Sequence, residues 1–198
     1  MKPGERQVAP TLSGIRPDHV NRYVWAAERC RDRRVIDFAC GVGYGSKLLI
    51  DSGATYVLAA DRDEEAIGYA KEHYGHCNIH YAVRDSTRLP ASLDADLITC
   101  FETIEHLEQD IRFLVEARHW APRLLVSVPN QEGMPFDPKR FNHHFRHYRP
   151  HELEDVLARS GWEISERFHQ VDRSPGRVEP GWEPGGIHLI ADCIRSNG

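Results

Sequence analysis

The chain has no Cys-x-x-Cys pair, no long apolar run and no excess of positive charge, and each absence removes a class of function. Its five cysteines, Cys30, Cys40, Cys77, Cys100 and Cys193, are odd in number and scattered, so neither a disulfide framework nor a thiolate zinc site is expected. Cys40 and Cys100 sit in apolar strand contexts and read as small hydrophobes. No stretch approaches membrane-spanning length, and Met1-Lys2-Pro3-Gly4-Glu5-Arg6 has no signal-peptide core behind it. The expectation is a cytoplasmic protein with no membrane partner. A formal net charge of -5 argues against a broad nucleic-acid-binding face.

At 198 residues, 40% hydrophobic and 28% charged, the chain has the size of one ordinary soluble domain, and 1–198 reads as a single unit. It is organised around Val35-Ile36-Asp37-Phe38-Ala39-Cys40-Gly41-Val42-Gly43-Tyr44-Gly45-Ser46, an apolar run that ends in an acid and breaks into a glycine-rich turn. Gly41, Gly43 and Gly45 permit positive φ and close backbone approach before Leu48-Leu49-Ile50 enters a helix. The spacing D-x-x-x-G-x-G-x-G differs from the G-x-G-x-x-G of dinucleotide-binding turns, and the Gly-Lys-Ser/Thr ending of a phosphate-binding loop is absent. An acid before the glycines repels a pyrophosphate and suits a ligand with a cationic group.

Residues 1–16 form an aperiodic N-terminal arm with Pro3, Gly4, Pro10 and Gly14. A first helix is predicted from Pro17 to Cys30, with His19 and Arg22 on a neighbouring, solvated face unless this helix covers a ligand. A second strand, Tyr56-Val57-Leu58-Ala59-Ala60, ends at Asp61, about 20 residues past Gly41, where open α/β sheets use an acid for ribose hydroxyls. A third strand, about 78–84, ends at Asp85-Ser86-Thr87, which suits either an adenine amino group or a helix cap. Asp96 to Phe101 is a fourth strand, followed by a helix read as starting at Glu102, and Arg123 to Val128 is a fifth, stopped by Pro129. The irregular 131–148 segment and the 179–186 segment are candidate substrate loops. Lys139, Arg140, Arg146 and Arg149 make the first locally basic, which favours an anionic acceptor. Trp182 in the second faces either the substrate or the loop's own surface. Pro150 begins a last helix, closed by Gly161, and 162–171 and 187–194 are terminal strands. Alternating strands and helices with ligand-type residues at successive strand ends imply a doubly wound, mostly parallel sheet.

The acid and glycine turn resemble motif I of class I S-adenosylmethionine-dependent methyltransferases, and with the later motifs the resemblance covers about residues 17–195. It implies a Rossmann-like α/β fold with one antiparallel strand beside the fifth. It implies that Asp37, Gly41 and Gly43 hold the methionine part of S-adenosyl-L-methionine, Asp61 with Arg62 the ribose, and Asp85 with Ser86 the adenine edge, while Phe101 and Glu102 flank the methyl group. Phe101-Glu102-Thr103-Ile104-Glu105-His106-Leu107 and Pro129-Asn130 look like methyltransferases acting on surface polysaccharides or sugars. The E-x-x-E-H core is shared with ubiquinone-pathway O-methyltransferases and small-RNA 2′-O-methyltransferases.

That resemblance implies a divalent ion (Mg2+, Mn2+ or Fe2+) held by Glu102, Glu105, His106 and a loop histidine aligned at His144, with His143 or His147 as alternatives. His106, Glu102 and His144 are the expected catalytic residues. A helix from Glu102 would put Glu102, Glu105 and His106 on one face, at i, i+3 and i+4. The expected reaction is O-methylation of a small-molecule or saccharide-like acceptor. The alternatives are a metal-independent N-methyltransferase or a small-RNA 2′-O-methyltransferase within the class, and a nicotinamide-dependent dehydrogenase or a non-catalytic cofactor-binding subunit outside it.

Overall fold

The computed structural model describes residues 7–85 and 94–196. Eight strands form one sheet in the order β3-β2-β1-β4-β5-β8-β6-β7. β1 (Arg34–Phe38), β2 (Tyr56–Asp61), β3 (Ile79–Val83), β4 (Leu97–Phe101) and β5 (Arg123–Pro129) run parallel. β8 (His188–Arg195) is antiparallel to β5 on one side and to β6 (Trp162–Gln170) on the other. The two-residue β7 (Glu179–Pro180) pairs with β6, so part of the expected 179–186 loop extends the sheet.

Strand alternation gives each face its own core. Val35, Val57, Ala59, Leu97 and Ile190 pack under α1 (Pro17–Ala27), α2 (Tyr44–Asp51) and α3 (Glu64–Tyr74). Ile36, Phe38, Ile98, Val126 and Leu189 pack under α4 (Asp110–Ala117) and α5 (Pro150–Arg159). Both faces are apolar because both are covered, so the central strands read as continuous hydrophobic runs. Helix starts follow local chemistry. Asp63 caps α3 by accepting from Glu65 N and Ala66 N at 2.9 and 3.2 Å, and Glu152 reaches back to Arg149 N at 2.7 Å below Pro150 in α5. Cys30, Cys40, Cys100 and Cys193 are buried and unbridged, and burial pushes the Cys100 and Cys193 thiols up, away from reactive thiolates. No helix among the described residues is long and apolar enough to cross a membrane.

The helix expected from Glu102 is not there. Glu102 itself takes φ 48°, Thr103 turns its hydroxyl back to the Phe101 carbonyl at 2.9 Å, and only a 3-10 turn, Ile104–His106, follows before the chain extends at Leu107. A side chain that bonds its own backbone competes with the helical ladder. The left-handed Glu102 ends the strand in a sharp corner instead of a helix start, and strain of this kind gathers at functional sites.

Candidate active site

The glycine turn leaves β1 at the carboxyl edge of the sheet, with Ala39, Gly41 and Gly43 at φ 58°, 57° and 89°. Asp61, at the end of β2, accepts from Gly41 N at 2.9 Å and from Asp63 N at 2.9 Å, so the second acid fastens the turn that the first acid introduces. Asp37 is wholly enclosed. Its carboxylate accepts from Tyr23 Oη at 2.9 Å, Thr99 Oγ1 at 2.8 Å and Ser46 Oγ at 2.6 Å. The expected direct contact of Asp37 with a cationic ligand is therefore corrected: it is the buried floor of the turn, joining α1, α2 and β4. Burial pushes its pKa up to about 6 despite the three donors. Phe101 is likewise core, 8% exposed and meeting Tyr23 edge-on at 5.2 Å. Arg62 and Asp85 are exposed, and Ser86 lies outside the described residues.

Gly45 shows how tightly the floor is built. A Cβ there would sit 2.1 Å from Tyr23 Cζ, and Tyr23 is itself wedged between Tyr44 and Phe101. Gly45→Ala is expected to destabilise the fold by about 1–3 kcal/mol, read as a fall in thermal midpoint. An unchanged midpoint would mean that Tyr23 has room to move.

Two polar clusters flank the carboxyl edge. The first is roofed by α1, so the reading of His19 and Arg22 as solvated is overturned. Arg22 is 1% exposed. Its Nη1 donates to Gln170 Oε1 at 2.6 Å and to His188 Nδ1 at 3.2 Å, whereas its Nη2 has no hydrogen-bond partner among the described residues. His188 Nε2 in turn lies 3.1 Å from Glu102 Oε2, and Ser127 Oγ donates to Glu102 Oε1 at 2.9 Å. An acceptor at Nδ1 makes His188 neutral with its proton on Nε2, and burial pushes its pKa down, in the same direction. Burial opposes ionisation of Glu102, but His188 and Arg22 beside it hold the carboxyl well below the usual range. Arg16 Nη2 lies 2.8 Å from His19 Nε2, and burial with nearby Arg22 takes His19 down to about 3. Ser127, Gln170 and His188 carried no recognisable signal in the sequence, and Arg22 was singled out there only for the case in which the first helix covers a ligand. A histidine starting a last strand resembles any other until the antiparallel pairing sets it opposite Pro129.

The second cluster is Glu105, His106 and His144, whose ligand-type atoms all lie within 4.8 Å of one another. Glu105 is fully buried, and His106 meets His144 edge-on at 4.4 Å between ring centroids. The 131–148 loop brings His144 in because Phe145 N donates to Glu105 O at 2.8 Å. Glu102 is not part of this group: the expected four-ligand set is divided between the clusters, since the helix that would have aligned it does not form. Of the three loop histidines, His144 joins the cluster. His143 offers its carbonyl to His106 Nδ1 at 2.9 Å, and His147 lies behind His144, with 2.9 Å between His147 Nε2 and His144 Nδ1.

The two candidate substrate loops abut: a Cβ on Gly133 would sit 2.0 Å from the Gly186 carbonyl oxygen, and Asn130 Nδ2 donates to that oxygen at 2.7 Å. Two of the four cations of the first loop are paired with acids. Arg146 is tied to Asp110 at 2.6 Å, Arg149 to Glu152 at 3.3 Å, and Arg140 lies 5.0 Å over the Phe141 ring. Trp182 donates from Nε1 to Ile190 O at 3.0 Å and packs on the protein rather than facing out.

Known proteins bear on this arrangement. Residues 15–167 match a family described as a methyltransferase domain. A protein of Mycolicibacterium smegmatis named as a probable S-adenosylmethionine-dependent methyltransferase is 31% identical over 181 residues, covering 88% of this chain and 68% of that protein. The ubiquinone biosynthesis O-methyltransferase of Neisseria meningitidis is 25% identical over 153 residues, covering 72% of this chain and 59% of its own length. The CcbJ methyltransferase from Streptomyces caelestis superimposes with a TM-score of 0.72 at 15% identity, over 98% of this chain and 100% of that one, a likeness of fold. The chain belongs to the S-adenosylmethionine-dependent methyltransferases, with their Rossmann-like fold and with S-adenosylmethionine as methyl donor.

Proposed function

We propose that this enzyme methylates a hydroxyl oxygen of a small or saccharide-like acceptor, with a divalent ion held by Glu105, His106 and His144. The observation that carries the reading is the convergence of those three side chains from two separate segments. One carboxylate and two imidazoles fit a divalent ion with open positions. Nitrogen donors favour Mn2+ or Fe2+ over Mg2+, which prefers oxygen. Bound there, the ion would lower the pKa of an acceptor hydroxyl and fix its direction.

The remaining chemistry belongs to the chain's own groups. Methyl transfer forms a carbon–oxygen bond as the carbon–sulfur bond breaks, and the departing sulfur keeps the electron pair. The donor is already activated, so the protein mainly aligns the two reactants. Asp61 holds Gly41, and Asp37 with Tyr23 and Ser46 holds the turn from below, which supports a binding role for Gly41, Gly43 and Asp61 toward the methionine and ribose parts of the donor. Arg62, Asp85 and Ser86 keep their proposed roles on the ribose and adenine. Glu102, ionised and fixed by Ser127 and His188, sets a negative charge beside the sulfonium side of the crevice. The hydroxyl proton leaves to solvent at the rim of the cluster, where His106 is 28% exposed. The likeness to a ubiquinone biosynthesis O-methyltransferase supports oxygen as the accepting atom.

The test is methyl transfer from S-adenosylmethionine to a panel of vicinal diols, catechols and sugars, before and after chelation. Transfer to oxygen that is lost in EDTA and restored by Mn2+ is the expected outcome. Full activity in EDTA would remove the metal from the reading, and a methylated nitrogen in the product would remove the hydroxyl.

A further inference from the structure

We infer that His147 is a positioning residue that prepares His144 for coordination by fixing which of its ring nitrogens carries the proton. The inference rests on the metal reading of the Glu105, His106 and His144 cluster. An imidazole takes a divalent ion only through an unprotonated nitrogen, and the bond made by the other nitrogen decides which one that is. The loop supplies that bond in two steps. His147 is 5% exposed and lies against Phe136 and Phe141, with ring centroids at 5.4 and 4.5 Å. Its Nδ1 lies 2.6 Å from the Met134 carbonyl oxygen. A carbonyl only accepts, so Nδ1 of His147 bears the proton, and Nε2 of the neutral ring is an acceptor.

That acceptor faces His144 Nδ1 at 2.9 Å, so His144 must donate from Nδ1 and keep its lone pair on Nε2. His106 reaches the same state by a shorter route. Its Nδ1 donates to the His143 carbonyl at 2.9 Å, which leaves the lone pair on Nε2, 4.0 Å from Glu105 Oε1. Both imidazoles are thus set as the same tautomer by the loop that carries one of them. His144 donates to His147, and His147 donates to the Met134 carbonyl, so the line has one direction. The polarity of the whole line is fixed at its backbone end, where no proton can move. His147, three positions past the expected ligand His144, therefore has a reason to be histidine without touching the ion.

Two measurements test this. Long-range proton–nitrogen NMR correlation on metal-free, full-length protein is expected to find His106, His144 and His147 all protonated on Nδ1. Co2+ titration, followed by its visible absorption, then compares wild type with His147→Phe and His147→Gln. The phenyl ring fills the space and offers no acceptor, and Co2+ affinity is expected to fall about 10- to 100-fold. The glutamine carbonyl accepts the same bond, and affinity and spectrum are expected to stay close to wild type, with S-adenosylmethionine affinity unchanged in both variants. Equal Co2+ binding by His147→Phe would overturn the inference, as would a wild-type His144 protonated on Nε2. If wild type takes up no Co2+ although His144 is protonated on Nδ1, the metal reading itself fails and takes the inference with it. Should the phenylalanine variant not fold, the wild-type NMR result and the glutamine variant still decide.

Discussion

Glu105→Ala is expected to lower Mn2+ affinity by more than about 100-fold, since even the partners of metal ligands are worth 10- to 100-fold. Glu105 supplies the only carboxylate of the cluster, and its two companions are neutral imidazoles in the state that binds metal. Removing it takes away the charge that offsets the ion and one of three donors. The affinity for S-adenosylmethionine should stay within about twofold of wild type. The glycine turn is fastened by Asp61, and its floor by Asp37, Tyr23 and Ser46, all on other elements. Calorimetric titration with Mn2+ and with S-adenosylmethionine reads both quantities on one sample. Undiminished Mn2+ binding would show that the ion sits elsewhere, and a parallel loss of both affinities would point to a collapsed corner at Glu102.

The ligand-free enzyme should become more stable when Asp37 is replaced by asparagine. The Asp37 carboxyl is enclosed, and burial raises its pKa from 3.8 to about 6, a difference worth about 3 kcal/mol. Because the folded-state value is the higher one, this contribution to stability is fully present below pH 3.8 and is lost as pH rises through 6. At neutral pH the wild type therefore holds an ionised group in a site that favours the neutral form. Asparagine keeps the size and can meet Tyr23, Thr99 and Ser46 without a charge. The expected gain at pH 8 is about 3 kcal/mol, or about 6–12 °C in the thermal midpoint of a domain this size, shrinking toward zero near pH 4. The same substitution should weaken S-adenosylmethionine about tenfold or more, since the donor is cationic and the charge under its turn is gone. A less stable asparagine variant at pH 8 would mean that the three hydroxyls hold the carboxylate better than burial penalises it.

The sequence carried the strand and helix order, because each central strand is a short apolar run closed by an acid, a glycine or a proline, and each helix has a cap or a periodic face. It also located the turn at Gly41 to Gly45 and the acid at Asp61, since local backbone needs write themselves into residue type. It could not reveal that Asp37 faces three hydroxyls from α1, α2 and β4, because those partners are contributed by segments up to 62 residues away. The corner at Glu102 was equally hidden: helical spacing of Glu102, Glu105 and His106 is real in the sequence, but the left-handed turn and the Thr103 hydroxyl break the helix that the spacing presumes. His188, Gln170 and Arg22 meet Glu102 only because β8 enters the sheet antiparallel beside β5 and α1 folds across its edge. Among three neighbouring histidines the resemblance favoured His144 for the cluster, and the folded loop sets His147 in the position behind it. Local chemistry is carried by neighbours in the chain and can be read there; the direction in which a buried charge or ring nitrogen points depends on partners that long-range packing brings in.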